Sequence, residues 1–227
     1  MSSSNKNQFN FSNLRKMNLP NKLTLLRLIL ILPLVILMSI ATTSSVWFSS
    51  YHLVWINLTI LLIFIVAMTT DFLDGFLARK YNQVTDFGKL WDPIADKAIT
   101  NLTLIYLTAQ SYLPLWVVFI FILRDLVVAG FRVIMTKNQI SIAADFLGKI
   151  KTILLSFGIV FLLLGVIICQ IIDLNHIGTL NLNFILVDSV PYWVSYGLGI
   201  FVIAAAILSI VSGFEYFQKI KHYIKTY

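Results

Sequence analysis

The sequence predicts an all-α integral membrane protein of six transmembrane helices. Both termini fall in the cytoplasm, and a polar active site lies at the cytoplasmic membrane face. Three observations carry this. Of 227 residues, 59% are hydrophobic and only 12% charged, whereas a soluble domain is nearer half apolar and a quarter charged. Six apolar runs approach the roughly 20 residues that cross a bilayer. The basic residues fall on alternate connections between those runs.

The runs are 23–42, 53–70, 94–110, 114–134, 148–170 and 192–214. The third is the weakest, because Asp96, Lys97, Thr100 and Asn101 interrupt it. Lys6, Arg15, Lys16 and Lys22 precede or open the first run, and Arg79, Lys80 and Lys89 lie between the second and third. Lys137 lies between the fourth and fifth, and Lys219, Lys221 and Lys225 follow the sixth. The connections 43–52, 111–113 and 171–191 hold no Lys or Arg. Positive residues mark the cytoplasmic side, so segments 71–93 and 135–147 face the cytoplasm with the termini. The expected organisation is a cytoplasmic segment at 1–19, a membrane domain at 20–215 and a basic cytoplasmic tail at 216–227.

The same features exclude other classes. A single cysteine, Cys169, permits no internal disulfide. The three histidines, His52, His176 and His222, are too far apart to suggest a zinc site. The formal net charge of +7 reads as membrane topology rather than nucleic-acid binding. No short apolar core precedes a small-residue cleavage site, so no leader peptide is expected. No internal repeat supports an inverted-repeat transporter.

The chemistry concentrates at the end of the second run and the start of the third. Asp71, Asp74, Gly75 and Ala78 stand at i, i+3, i+4 and i+7, one helical face. Gly88, Asp92 and Asp96 stand at i, i+4 and i+8, again one face. The polar turn between them makes the two helices antiparallel neighbours whose acidic faces can meet. Asp71, Asp74, Asp92 and Asp96 are four of only ten acids in the chain. So many like charges in a partly dry site need neutralising. Hard divalent cations take oxygen ligands, and Mg²⁺ is held by a few carboxylates together with substrate phosphates. The alternative is that these acids are solvated or paired with Arg79, Lys80, Lys89 and Lys97. Gly75, Ala78 and Gly88 leave room beside the acids for a ligand to approach the backbone.

The pattern Asp-x2-Asp-Gly-x2-Ala-Arg-x8-Gly-x3-Asp-x3-Asp, from Asp71 to Asp96, resembles the signature of the CDP-alcohol phosphotransferase family, and every fixed position matches. Pro20-Asn21-x2-Thr24-x2-Arg27 is similar to that family's amino-terminal segment. Arg124-Asp125, Gly130-Phe131-Arg132 and Leu147-Gly148-Lys149-Ile150-Lys151-Thr152 resemble the branch that makes phosphatidylglycerol phosphate, which commonly has Arg-Glu where this chain has Arg124-Asp125. The resemblance covers roughly residues 17–165.

That resemblance implies transfer of the phosphatidyl group of CDP-diacylglycerol to glycerol 3-phosphate, with release of CMP. It implies metal ligation by Asp71, Asp74, Asp92 and Asp96, with Asp96 as ligand or as the general base, and two Mg²⁺ or Mn²⁺ ions. It assigns Asn21, Thr24, Gly75, Ala78, Arg79, Thr85 and Gly88 to the CDP-diacylglycerol site. Arg124, Arg132, Lys149 and Lys151 become candidates for the acceptor phosphate, since a guanidinium suits a phosphate monoester. For Arg124 the alternative is a local pair with Asp125, and for Lys149 and Lys151 a role as positive-inside anchors. Arg27 can snorkel to the headgroups. The resemblance also implies a homodimer in the cell membrane. Other acceptors of the same family (inositol phosphate, serine or phosphatidylglycerol) are the alternatives, and a cation-binding transporter is the alternative outside it.

Overall fold

A computed structural model of the chain describes residues 18–43, 50–80, 86–137, 146–176, 197 and 199–224. Among these residues the regular structure is helical throughout: α1 (Leu19–Thr43), α2 (Ser50–Lys80), α3 (Asp86–Ala109), α4 (Leu115–Lys137), α5 (Phe146–His176) and α6 (Ile200–Ile224). Local chemistry sets the visible ends. At the start of α1 the Lys22 amide donates to the Asn18 carbonyl, with Pro20 in the first turn where its missing N–H costs nothing. At the end of α3 the Tyr112 amide donates to the Leu107 carbonyl and the Ser111 amide to the Thr108 carbonyl. With Ser111 at φ 61°, this is a left-handed helix stop of the kind glycine usually serves. Pro114 then opens α4, its carbonyl accepting from the Val117 amide.

Four helices contain stretches long and apolar enough to cross a membrane: Asn21–Thr43, Tyr51–Leu77, Leu147–Ile172 and Ile200–Gln218. The other two, α3 and α4, match predicted spans but carry charge. Lys89, Asp92, Asp96 and Lys97 lie on α3, and Arg124, Asp125 and Arg132 on α4. The second run also ends later than its apolar stretch suggests. Helix α2 continues to Lys80, so Asp71 and Asp74 sit on its last turns.

Helix α1 packs on α2 and α3, α2 on α5, α5 on α6, α6 on α4, and α4 on α3. The six therefore close into a ring, with α3 also touching α2 and α5. The interior is filled by Leu34, Ile60, Phe64, Ile99, Leu104, Phe121, Ile159 and Leu162, all buried. Large apolar side chains also cover the outside: Leu32, Phe72 and Phe157 are each about 70% exposed. A surface of that kind suits lipid rather than water.

Polar groups mark the two ends of the bundle. At one end, Tyr106 Oη donates to Asn57 Oδ1 at 2.5 Å and Asn57 Nδ2 to Gln170 Oε1 at 3.0 Å, tying α2, α3 and α5. Gln110 Nε2 donates to the Ala41 carbonyl of α1 at 3.1 Å. The acids of α2 lie about 20 Å further along the same helix, at 1.5 Å per residue. The network therefore pins the bundle at the end remote from the chemistry.

Candidate active site

The acidic faces of α2 and α3 do meet, but across a third helix. Helix α1 lies against both, and its Thr24 and Arg27, one turn apart, project between the acids. The Arg27 side chain is fully buried. Its Nη1 pairs with Asp71, and its Nη2 with Asp74 Oδ2 at 2.5 Å and Asp92 Oδ1 at 3.2 Å. Thr24 Oγ1 lies 3.1 Å from Asp74 Oδ2 and 2.5 Å from Asp92 Oδ1. Asp74 is buried, while the side chains of Asp71 and Asp92 are 40% and 37% exposed. One carboxylate thus anchors the cluster and two open outward.

Arg27 does not snorkel. It neutralises Asp71, Asp74 and Asp92 from within. Lys97 pairs with Asp125 at 3.9 Å, and the Lys80 ammonium lies over the Phe76 ring. Sequence reasoning missed this duty of Arg27, although a signal was present. Thr24 and Arg27 repeat the i, i+3 spacing of Asp71 and Asp74, and a fully buried arginine needs carboxylate partners.

The donor set is chemically suited to a hard divalent cation, because every group is an oxygen. As placed, the oxygens turn toward the guanidinium. Among the described residues no three acidic, histidine or cysteine side chains are gathered in metal-holding geometry.

A second ion cluster lies beside the first and has the opposite polarity. Asp125 Oδ1 accepts from Arg124 Nη1 and from Lys151 Nζ, both at 3.2 Å, and Lys97 Nζ lies 3.9 Å from Asp125 Oδ2. Arg124 Nη2 also donates to Ser212 Oγ of α6 at 2.9 Å. Lys151 is buried, with its ammonium 5.3 Å from the centre of the Phe121 ring. Close approach makes the arrangement possible: a Cβ on Gly213 would come within 3.3 Å of Arg124 Cγ. On α3, Asp96 lies one turn from Asp92 of the first cluster and next to Lys97 of the second. Asp96 is half-buried at their junction.

Of the other predicted site residues, Asn21 is half-buried on the first turn of α1, Gly75 is exposed and Gly88 is buried. Arg124 and Lys151 share Asp125, whereas Lys149 is exposed two positions from Lys151. Thr85 and the side chains of Ala78, Arg79 and Arg132 lie outside the described residues. Ser212 was not anticipated. Nothing in the sequence marks one serine in an apolar helix.

Comparison with known proteins agrees with the pattern of the site. Residues 17–190 match the family model described as CDP-alcohol phosphatidyltransferase. A Mycoplasma genitalium protein named CDP-diacylglycerol--glycerol-3-phosphate 3-phosphatidyltransferase is 37% identical, over 93% of this chain and 87% of its own length. The Bacillus subtilis protein of the same name is 36% identical over 92% of this chain and 98% of its own length. A third so named, from Rickettsia felis, is 32% identical over 91% and 97%.

Proposed function

The chain belongs to the CDP-alcohol phosphatidyltransferase family, and from that premise we infer that it transfers the phosphatidyl group of CDP-diacylglycerol to the sn-1 hydroxyl of glycerol 3-phosphate. It is a multi-pass membrane enzyme of phospholipid biosynthesis. The hydroxyl oxygen forms a bond to the phosphatidyl phosphorus while the bond from that phosphorus to the CMP oxygen breaks. The hydroxyl proton leaves to a base, and CMP departs with the electron pair. The products are phosphatidylglycerol phosphate and CMP.

The observation that carries this reading is the meeting of two ion clusters of opposite sign on α3, where Asp96 stands between Asp92 of the first and Lys97 of the second. Phosphoryl transfer demands charge neutralisation and in-line positioning more than covalent participation. Asp71, Asp74, Asp92 and Asp96 would hold Mg²⁺ or Mn²⁺, two ions in all. When bound, the ions offset the charge of the diphosphate and of the departing CMP. Asn21, Thr24, Gly75, Ala78, Arg79, Thr85 and Gly88 form the CDP-diacylglycerol side of the site. Arg124 and Lys151, with Arg132 and Lys149 nearby in the chain, form the acceptor side. Asp96, between the two, takes the acceptor's proton or ligates metal. A basic acceptor side favours a phosphorylated alcohol over serine.

The finer topology is part of this proposal. Six apolar runs support six spans, and the distribution of Lys and Arg supports both termini in the cytoplasm and a cytoplasmic active site in the cell membrane. Two copies would associate as a homodimer.

The deciding experiment gives the purified, detergent-solubilised protein one labelled CDP-diacylglycerol donor and a panel of acceptors. CMP release that depends on glycerol 3-phosphate is the expected result. Release with inositol phosphate, serine or phosphatidylglycerol instead, or no release with any acceptor, overturns the assignment.

A further inference from the structure

We propose that Lys97 is a direct ligand of the acceptor's phosphate, and that Asp125 is a positioning residue that gathers Lys97, Arg124 and Lys151 into one anion site. The inference rests on the reading of glycerol 3-phosphate as acceptor, and adds two residues to that side of the site.

The three cations come from three helices, α3, α4 and α5, and one carboxylate holds them together. Without that carboxylate, three like charges near the membrane would repel and separate. With it the cluster keeps a surplus of two positive charges. A phosphate monoester carries about −1.5 to −2 at neutral pH, so the surplus matches it.

The cations are not equally available. Lys151 has a side chain 4% exposed and lies over Phe121. Arg124 is 17% exposed and uses Nη1 on Asp125 and Nη2 on Ser212. Its Nε is buried and has no hydrogen-bond partner among the described residues, which leaves a donor on the cluster. Lys97 is 34% exposed, the most open of the three. At 3.9 Å it is near enough to Asp125 for an ion pair and too far for a hydrogen bond. Its ammonium can therefore turn to a ligand while still held by the field of Asp125.

Position in the chain completes the argument. Lys97 follows Asp96 directly on α3. A phosphate held by Lys97 and Arg124 sets the three-carbon body of the acceptor alongside Asp96, where a hydroxyl must lose its proton. Lys97 thereby links the anion site to the reacting end, a duty that Lys151, enclosed one helix away, is not placed to perform.

The test measures both KM values and kcat for Lys97→Gln, Lys97→Arg and Asp125→Asn, with the wild-type acceptor panel run alongside. Losing one charge-assisted hydrogen bond should raise the glycerol 3-phosphate KM about tenfold or more for Lys97→Gln. The CDP-diacylglycerol KM should stay near wild type, and Lys97→Arg should recover most of the loss. Asp125→Asn should raise the same KM, and Asp125→Glu should restore it. A second measurement needs no variant. Glycerol 3-phosphate should protect Lys97 of the wild-type protein from reductive methylation, read by mass spectrometry. A wild-type acceptor KM in Lys97→Gln, a rise confined to the donor KM, or absence of protection overturns the inference. If wild type fails to use glycerol 3-phosphate at all, the functional reading has failed instead, and the panel shows it.

Discussion

The molecule solves one electrostatic problem twice, with opposite signs. Between α1, α2 and α3, Asp71, Asp74 and Asp92 surround the single guanidinium of Arg27. Between α3, α4 and α5, Lys97, Arg124 and Lys151 surround the single carboxylate of Asp125. Three charges against one leave a surplus of two in each cluster, negative in the first and positive in the second. The resident counter-ion permits the cluster to exist in a poorly solvated place. The surplus is what remains for a ligand. The acid cluster suits cations and the basic cluster a phosphate dianion, so on the proposed reading the difference in sign would divide the donor side from the acceptor side.

The largest test of that division is loss of a carboxylate from the first cluster. Asp74→Asn and Asp92→Asn should each lower kcat by at least about 100-fold, the scale of removing one group that stabilises the transition state, while the protein still inserts. Excess chelator should abolish turnover of the wild type, and Mg²⁺ or Mn²⁺ should restore it. Full turnover in chelator would end the metal reading.

Next in size is the counter-ion. Arg27→Gln leaves Asp74 buried beside two other acids with no cation. Breaking a buried pair from one side costs about 3–5 kcal/mol. Asp71 and Asp92 are partly exposed and recover some solvation, so the lower end is expected. The check is thermal unfolding of the detergent-solubilised protein, with and without divalent cation. If Arg27 is the counter-ion, added Mg²⁺ should return more stability to the variant than to the wild type. Equal shifts would mean that Arg27 serves packing rather than charge.

The third test addresses the basic cluster. Arg124→Lys keeps the charge but loses the planar fork that spans Asp125 and Ser212. The acceptor KM should rise and the donor KM should hold, with kcat falling less than in Asp74→Asn. A rise in the donor KM alone would move Arg124 to the donor side of the division.

The two clusters also differ in how far the sequence disclosed them. The acids of α2 and α3 lie within 26 consecutive positions at helical spacing, so local geometry brings them onto two faces. The basic cluster joins positions 97, 124, 125, 151 and 212, on four helices. Only tertiary packing determines which of those groups meet, and period alone contains no record of it. Arg27 falls between the two cases. Its spacing from Thr24 placed it on a face, yet which helix that face would meet depended on α1 lying between α2 and α3. The same limit applied to the spans. Hydropathy located all six helices, but the charges of the site make α3 and α4 less apolar than the other four.

The smallest expected effect separates the clusters by the helices that support them. Helices α5 and α6 are in close contact at Gly158, where an added Cβ would lie 2.8 Å from Val202 Cγ2 and 3.0 Å from the Val202 amide nitrogen. The second contact is with backbone, so side-chain rotation alone cannot relieve it. Gly158→Ala should therefore force the two helices apart and lower stability by about 1–3 kcal/mol, as overpacking does. Lys151 lies two turns along α5 from Gly158, and Ser212 lies further along α6 from Val202. A splayed pair would loosen the hold of Ser212 on Arg124 and shift Lys151 from Asp125. The acid cluster sits on α1, α2 and α3, none of which meets α6 in the ring. The variant should accordingly raise the acceptor KM more than the donor KM, although Gly158 touches neither substrate. Equal rises would show that strain between α5 and α6 spreads through the whole bundle, and that the clusters are not mechanically separate.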